Sequence, residues 1–302
     1  MRKGDYQEQS MPFVDFMIIG AMKSGTTTLG QILSMHPEIC FSREKEPHYF
    51  SKSSNWEKNI EEYKTLYNPT KNQICGEAST TYTCYPEFNK DIWQVLYDFN
   101  PKLKLIYIMR DPIERIISHY MHNYLRGYTS ESFEKIVFKQ STYINRTRYY
   151  LQIKPYIQLF GQEQVLLLTF EEFIANKKII LNKIANFLEI DATKFGNFNN
   201  IHANKSVGST KNNVKVEKIG KNPFVKNIKP LLPKILIQTT KDVLFDFTRR
   251  NLNEKPHVSE TVKKVIYDLL ILDMLEIEKL MGRKITEWKS LNQYLEEYKR
   301  LG

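Results

Sequence analysis

The chain of 302 residues is 41% hydrophobic and 13% aromatic, and its 44 basic against 34 acidic side chains give a formal net charge of +10. This surplus favours polyanionic partners such as nucleic acid, an anionic membrane, or phosphate- and sulfate-bearing small molecules, and it does not choose among them. No run approaches the roughly 18 apolar residues of a membrane span, and no apolar segment follows the basic pair at the N-terminus, so we expect neither a transmembrane helix nor a secretory signal.

Alternating apolar runs and helical spacing predict an α/β organisation. Strands are predicted over residues 14–19, 74–78, 103–109 and 165–170, and helices over 26–35, 56–67, 87–99, 112–126, 177–188 and 260–281. Asp111 suits an N-cap, Pro112 the first helical position and Glu114 a capping box, so the fourth helix has a sharp start. Strands that alternate with helices indicate βαβ units and a mostly parallel sheet flanked by helices.

One domain over residues 1–302 is the economical interpretation. Residues 212–256 are predicted to form a basic loop or helical insert, and residues 257–302 a C-terminal helix and tail. The cysteines Cys40, Cys75 and Cys84 form neither an even framework nor a metal-type spacing. Free thiols fit a reducing compartment, so we expect a cytoplasmic protein.

The first motif that carries chemistry is the turn Gly20–Thr28 between the first strand and the first helix. Glycines let the backbone approach an anion, the helix N-terminus favours negative charge, and the hydroxyls add donors. It is not a Walker A loop, since Lys23 lies two residues before Gly25 rather than directly after the last glycine. A glycine-rich turn with a solvated lysine is the alternative.

The second motif is Arg110-Asp111-Pro112, with Ser118 eight residues beyond the arginine. An arginine at the carboxyl end of a strand faces the crevice in which open α/β sheets bind ligands, and its guanidinium suits phosphate. An Arg-Asp pair that only caps a helix is the alternative. Together the two motifs describe one ligand with two anionic ends.

These segments resemble the sulfotransferases that use 3′-phosphoadenosine-5′-phosphosulfate (PAPS), and in particular the heparan sulfate sulfotransferases and their bacterial relatives. The resemblance runs over residues 13–211 and rests on the two motifs and on the segments Glu46-Pro47-His48-Tyr49-Phe50, Gly76-Glu77-Ala78-Ser79 through Tyr82, Leu168–Phe173 and Ile184–Leu188. It implies a P-loop-like three-layer fold, PAPS as co-substrate with 3′-phosphoadenosine-5′-phosphate (PAP) as product, and no required metal.

The resemblance also implies roles for single residues. Lys23, Ser24, Gly25, Thr26 and Thr27 would form the 5′-phosphosulfate loop, with Lys23 neutralising charge on the leaving oxygen. Arg110 and Ser118 would form the 3′-phosphate site. The predicted catalytic residues of the acceptor side are Glu46 as general base and His48 as the residue that orients it. An exposed loop glutamate and a structural histidine are the alternatives.

Two departures from the family pattern bear on ligands. Gly208, Ser209 and Thr210 match the family's nucleotide loop, but Ser209 stands where the family has arginine. Ala78 stands where heparan enzymes have a lysine near the sulfated sugar, which argues against a heparan-like polymer as acceptor.

The acceptor is predicted to be a hydroxyl of a saccharide, a lipid or a secondary metabolite. Aromatic side chains stack on sugars or pack against lipid chains, and the candidates for an acceptor pocket are Tyr49, Phe50, Tyr82, Tyr149 and Tyr150. Most aromatic residues are simply core, so at most two of these five are expected to contact an acceptor.

Two other functions remain open at this point. A nucleotide kinase would use a related phosphate loop, but it needs the Walker lysine and a metal site. A nucleic-acid or membrane-surface binding module would use the net charge and the lysine-rich stretch from Lys211 to Lys229, but these lysines lack interleaved aromatic residues.

Overall fold

The computed structural model describes residues 14–53, 55–88, 90–196, 198, 210–211, 250–251 and 254–301. These residues group into two compact units, each assembled from segments that are distant in the sequence. The first unit contains the described residues of 1–21, 25–109 and 151–201. The second contains those of 22–24, 110–150 and 202–302.

The first unit is built on a five-stranded sheet whose neighbouring strands are all parallel. Its strands are β1 (Val14–Gly20), β2 (Ile39–Phe41), β3 (Ile74–Ala78), β4 (Lys104–Met109) and β5 (Val165–Thr169). The order across the sheet is β2-β3-β1-β4-β5. This confirms the predicted α/β class with a central parallel sheet.

A two-stranded antiparallel ladder belongs to the second unit. It pairs β6 (Thr210–Lys211) with β7 (Arg250–Asn251).

Helices account for most of the remaining described residues. In chain order they are α1 (Thr26–Leu33), α2 (Tyr49–Lys52), α3 (Ile60–Lys64), α4 (Ile92–Phe99), α5 (Pro112–Leu125), α6 (Phe133–Lys139), α7 (Thr142–Asn145), α8 (Tyr149–Phe160), α9 (Phe170–Ala175), α10 (Lys177–Leu188), α11 (Glu260–Met281) and α12 (Lys289–Leu301). Short 3₁₀ turns occur at Glu57–Asn59, Thr80–Thr83, Gln162–Gln164 and Ala192–Lys194.

The central strands are almost continuously apolar because helices cover the sheet. Phe16 and Ile18 of β1 are fully buried, and so are Ile106 and Ile108 of β4. They share one hydrophobic core with side chains of α1, α9 and α10, namely Leu29, Ile32, Leu33, Phe173, Ile180, Leu181, Ile184 and Leu188. Burial of this set anchors the loops that leave the sheet at its carboxyl edge.

Two helices of the second unit start and end where their capping residues predict. Asp111 Oδ1 accepts a hydrogen bond from the Glu114 amide at 3.1 Å, which caps α5. In α11, Ser259 caps the N-terminus and Gly282 ends the helix with a left-handed φ of 65°.

The strand order places the crevice of the sheet at the carboxyl ends of β1 and β4. These strands are hydrogen-bonded neighbours, and Gly20 lies opposite Tyr107 in the register. The chain leaves β1 toward β2 and leaves β4 toward β5, on opposite sides, so a topological switch point lies between them. Lys23 and Arg110, the two cations predicted to bind one ligand, therefore follow neighbouring strands.

Candidate active site

The loop after β1 has a geometry that requires glycine. The Ala21 amide donates to the Ile108 carbonyl oxygen at 2.7 Å, which fixes the start of the loop against β4. Gly25 has a φ of 91°, and a Cβ at this position would lie 2.5 Å from the Phe170 ring. No side chain caps α1 in the part of the chain that the structure describes. The first-turn amides of α1 are therefore presented as donors for an anion.

Ser24, in the second unit, is a buried hydroxyl that finds no hydrogen-bond partner among the described residues. Its side chain is 0% exposed. Such a group costs free energy unless a ligand or water satisfies it. Its position within the predicted anion loop is consistent with a ligand oxygen as its partner.

His119, on α5 in the same unit, lies in a strongly positive environment. It is 3% exposed, and its Nδ1 has no hydrogen-bond partner among the described residues. Burial holds the pKa of His119 well below its usual value, and the positive charges of Arg115, Arg146, His122 and Lys23 lower it further. The imidazole is therefore neutral, and the field around it favours an anion.

The two arginines beside His119 are held by specific contacts. Arg146 Nη1 lies 3.1 Å from the sulfur of Met22, the residue before Lys23. Arg115 is fully buried and donates from Nη2 to the Tyr143 carbonyl oxygen at 2.7 Å, and the Tyr143 and His119 rings are 4.6 Å apart. The second unit thus concentrates cationic side chains around the Lys23–Ser24 segment.

Arg110, predicted to hold a 3′-phosphate, forms an ion pair in this structure. Its Nη2 lies 3.0 Å from Glu114 Oε2, and Lys255 Nζ lies 2.7 Å from the same oxygen. Ser118 is half-buried one turn beyond Glu114 on α5. The spacing of four residues puts Glu114 and Ser118 on one face of the helix, so the carboxylate orients Arg110 along the face that carries Ser118.

The predicted catalytic pair of the acceptor side comes together in the first unit. His48 Nε2 and Glu46 Oε2 are 3.4 Å apart, with 22% and 28% of their side chains exposed. Thr80 Oγ1 donates to the same Glu46 oxygen at 3.3 Å. Glu46 is therefore held by two neighbours while keeping an exposed fraction that a substrate hydroxyl can reach.

Two hydroxyls lie beside the His48 ring. Ser51 Oγ donates to the His48 carbonyl oxygen at 3.0 Å and lies 2.6 Å from Thr81 Oγ1. Thr81 Oγ1 is 2.9 Å from His48 Nδ1 and holds the ring on that side. Burial lowers the pKa of His48, only partly opposed by the charge of Glu46. A carboxylate can only accept, so a hydrogen bond between His48 and Glu46 is donated by Nε2–H of the ring.

A cavity in the first unit joins two groups of predicted site residues. It has a volume of about 240 Å³, and Thr26 and Thr27 of α1 line it together with Glu46, Arg43 and Lys45. The predicted general base and part of the predicted donor loop therefore face one space.

Two of the residues that line this cavity are very small. Gly30 and Ala78 are both lining residues, and a Cβ on Gly30 would lie 3.8 Å from the Ala78 Cβ and 3.2 Å from the Phe41 ring. Ala78, where the resemblance places a lysine in heparan enzymes, contributes only a methyl group.

Most of the aromatic residues predicted for an acceptor pocket are core residues in this structure. Phe50, Tyr82 and Tyr149 are at most 1% exposed, because Phe50 packs among rings of the first unit and the two tyrosine hydroxyls are bonded inside their own units. Tyr150 is half-buried. Tyr49 lines a separate cleft of about 580 Å³. Of the five predicted residues, Tyr49 is the one that lines either of these two cavities in the described part of the chain.

The late nucleotide loop is not described at the level of side chains. Gly208 and Ser209 lie outside the described residues, as does the lysine-rich stretch 212–249, and Thr210 is described only as the first residue of β6.

Several residues of these two clusters were not singled out by sequence reasoning. In the first unit they are Ser79, Thr80 and Thr81, which follow β3. In the second unit they are Arg115, His119 and Arg146. Polar side chains directly after a buried strand were a usable signal for the first group; the second depends on contacts between α5 and a segment about thirty residues later, which spacing does not reveal.

With the geometry in place, comparison with known proteins defines the class. The sulfotransferase domain family matches residues 14–242, and the chain belongs to this family. Membership favours the first of the three interpretations of the sequence over the nucleotide kinase and the nucleic-acid binding module.

Individual relatives confirm the predicted branch. Heparan sulfate glucosamine 3-O-sulfotransferase 3B1 of Mus musculus is 28% identical over 182 residues, which cover 57% of this chain and 45% of that protein. A crystal structure of a sulfotransferase from Alicyclobacillus acidocaldarius has the same fold, with a TM-score of 0.64 at 21% identity over 92% of this chain and 100% of the other. The chain spans less than half of the length of the curated relatives it matches.

One relative overturns the expected location. The membrane-associated sulfotransferase kil1 of Dictyostelium discoideum is 36% identical over 111 residues, covering 35% of this chain and 22% of that protein. The expectation of a cytoplasmic protein is therefore wrong. It was based on the number of cysteines and on the length of the apolar runs, and these features do not determine the cellular location of a protein. Within the ranges that the structure describes, no helix is long and apolar enough to cross a bilayer.

Proposed function

We propose that the chain is a PAPS-dependent sulfotransferase that transfers a sulfuryl group to a hydroxyl of a saccharide, a lipid or a secondary metabolite. The observation that carries this proposal is the cavity of the first unit, which Glu46 and the first turn of α1 line together. Family membership supports the reaction class. Because the chain matches less than half of the length of its relatives, the identity of the acceptor is part of the proposal.

The donor side of the proposal rests on features that suit a nucleotide with two anionic ends. Ser24 presents a buried hydroxyl that has no hydrogen bond within the described part of the chain, and Lys23 belongs to the positive environment of His119. The first-turn amides of α1 add donors, and Arg110 and Ser118 supply the second anion site. PAPS supplies an activated sulfuryl group with a phosphate leaving group.

On the acceptor side, Glu46 is the residue that receives the proton of the acceptor hydroxyl. Glu46 removes the proton of the acceptor hydroxyl as its oxygen bonds to sulfur, and the bond from sulfur to the bridging oxygen breaks. Lys23 neutralises the charge that develops on the leaving oxygen. His48, whose Nε2 lies 3.4 Å from Glu46 Oε2, orients the carboxylate toward the acceptor hydroxyl.

The proposal is tested by calorimetric titration with PAP, followed by radiolabelled PAPS with a panel of saccharide, long-chain alcohol and secondary-metabolite hydroxyls. We expect PAP to bind and label to reach at least one acceptor class without added metal. Absence of PAP binding would reject the donor assignment. Binding without transfer to any class of the panel would reject the acceptor assignment.

Ser24 offers a prediction in which stability and binding move in opposite directions. Ser24→Ala removes a buried, unsatisfied hydroxyl, so the melting temperature should stay unchanged or rise, while PAP affinity falls about tenfold because a hydrogen bond to a charged ligand is lost. Melting curves and PAP titration of the same preparation measure both. Ser259→Ala is the control, since it deletes the cap of α11 and should lower stability by about 1 kcal/mol with unchanged PAP affinity. A destabilised Ser24→Ala with normal affinity would contradict a ligand role.

Arg110 offers a prediction on nucleotide binding. Arg110→Ala should weaken PAP binding by about 2 kcal/mol, roughly 30-fold. This is the lower end of the range for removing one partner of a buried charged pair, because 21% of the Arg110 side chain is exposed. Titration with PAP measures the effect. Lys255→Ala removes the other cation on Glu114 and should leave the affinity within about threefold, as expected for a surface ion pair. Equal affinity of Arg110→Ala and the unmodified protein would discard the assignment.

A further inference from the structure

A fully buried carboxylate, Glu77, lies beneath the loop that carries Glu46 and His48. It is the penultimate residue of β3 and 0% exposed. Tyr63 and Tyr82 donate to its Oε1 at 2.7 and 2.9 Å, and Ser79 Oγ donates to Oε2 at 2.6 Å. The two tyrosines fix the carboxylate within the core, so its second oxygen is a rigid anchor for Ser79.

Ser79 connects this anchor to the backbone of the catalytic loop. The His48 amide lies 3.0 Å from Ser79 Oγ. A backbone N–H can only donate, so Ser79 Oγ accepts this bond and its own proton remains for Glu77. Ser79 is 0% exposed. With its hydroxyl held on Glu77, its lone pair is fixed toward the His48 amide.

The loop needs such support because its backbone is in a disfavoured conformation. Glu46 and His48 have φ values of 52° and 54°, in the left-handed region that non-glycine residues avoid. Conformations of this kind persist only where surrounding contacts determine them. Thr81 holds the His48 ring and Ser51 its carbonyl oxygen, whereas Ser79 holds its amide.

We propose that Ser79, anchored by Glu77, is a positioning residue that fixes the His48 backbone and thereby the Glu46–His48 pair for proton transfer. This inference rests on the proposed function, in which Glu46 is the base. Neither residue touches the substrate in this scheme. The effect of Ser79 on rate passes through the 3.4 Å separation of His48 Nε2 and Glu46 Oε2.

The test compares Ser79→Ala with Tyr63→Phe. Each deletes one hydroxyl that donates to Glu77, but only Ser79→Ala removes the acceptor of the His48 amide. We expect Ser79→Ala to exchange the His48 amide hydrogen at least about tenfold faster, since the amide loses its only described acceptor. With radiolabelled PAPS and the best acceptor of the panel, kcat should fall about 10–100-fold, the range for a small misplacement of a catalytic group, and the KM for PAPS should stay within about twofold.

Two further variants complete the comparison. Tyr63→Phe should lower stability and leave both the His48 exchange and kcat within about threefold of the unmodified protein. Ser79→Thr keeps the hydroxyl and should recover most of the rate. If Ser79→Ala does not fold, Ser79→Cys answers the same question, because a thiol is a poorer acceptor than a hydroxyl.

The outcomes separate this inference from the function it rests on. Unchanged His48 exchange in Ser79→Ala, faster exchange with normal kcat, or equal losses in Ser79→Ala and Tyr63→Phe would each overturn the positioning role. If the unmodified protein transferred no label from PAPS, the proposed function would fail, while the exchange comparison would still decide whether Ser79 fixes the loop.

Discussion

Glu46→Gln is expected to slow sulfuryl transfer by about 10²–10⁴-fold, the usual contribution of a general base, while PAP binds with unchanged affinity. The amide keeps the shape of the side chain and accepts from Thr80, but it cannot take a proton from an acceptor hydroxyl. His48 Nε2 would then face a neutral amide in place of the carboxylate.

Single-turnover transfer with radiolabelled PAPS measures the chemical step, and titration with PAP measures binding. Glu44→Gln is the matched control, because it makes the same change at an exposed glutamate two residues earlier in the same loop. It should transfer at nearly the normal rate. If both variants had the same rate, Glu46 would be a solvated loop residue and the base would have to be sought elsewhere.

Lys23→Ala is expected to lower kcat by about 10²–10³-fold, as loss of a donor to a developing oxyanion does. The lysine charge stabilises the leaving oxygen only as the bond to sulfur breaks, so the loss falls on kcat more than on the KM for PAPS. His119, whose field includes the Lys23 charge, provides a second readout: its pKa should rise in the variant because one repelling cation is gone.

The backbone at Lys23 demands its own control. Lys23 has a φ of 73°, which disfavours lysine and alanine alike because both carry a Cβ, so the substitution adds little strain of its own. Asn72 has a φ of 72° and is exposed. Asn72→Ala places an alanine in the same backbone conformation away from the loop. Because asparagine tolerates this conformation better than alanine, the variant should lose some stability without a change in kcat. A near-normal kcat in Lys23→Ala would remove the lysine from the mechanism.

Elements with strong local signals were predicted well. β3 and α10 have the predicted bounds, and α11 ends at its predicted glycine. α5 starts at the predicted cap because Asp111, Pro112 and Glu114 each act locally. Such signals depend only on neighbours in the chain, which explains their reliability.

Elements stabilised by tertiary contacts were missed. β2 has three residues, too few for a periodicity, and forms because it pairs with β3. α8 contains Pro155, which ordinarily marks a helix boundary. The predicted helix over 87–99 begins only at Ile92, after a turn that the apolar spacing does not show.

The candidate site likewise contains features that the sequence predicts and contacts that it does not. The anion loop and the Glu46–His48 segment were predicted because their residues are contiguous in the sequence and match a family pattern. The hydrogen bonds in which Ser79, Thr80 and Thr81 take part join residues more than thirty positions apart. They depend on β3 ending beside the loop, which spacing does not encode.

The small residues that line the 240 Å³ cavity have a consequence for acceptor scope in the proposed reaction. Gly30 and Ala78 together contribute a single side-chain carbon beyond the backbone. One larger or charged residue at position 78 would therefore change both the room and the charge in this cavity, and it would press on Gly30 of α1, which lies beside the Ala78 Cβ. Divergence of acceptor preference among close homologues of this chain should concentrate at that position.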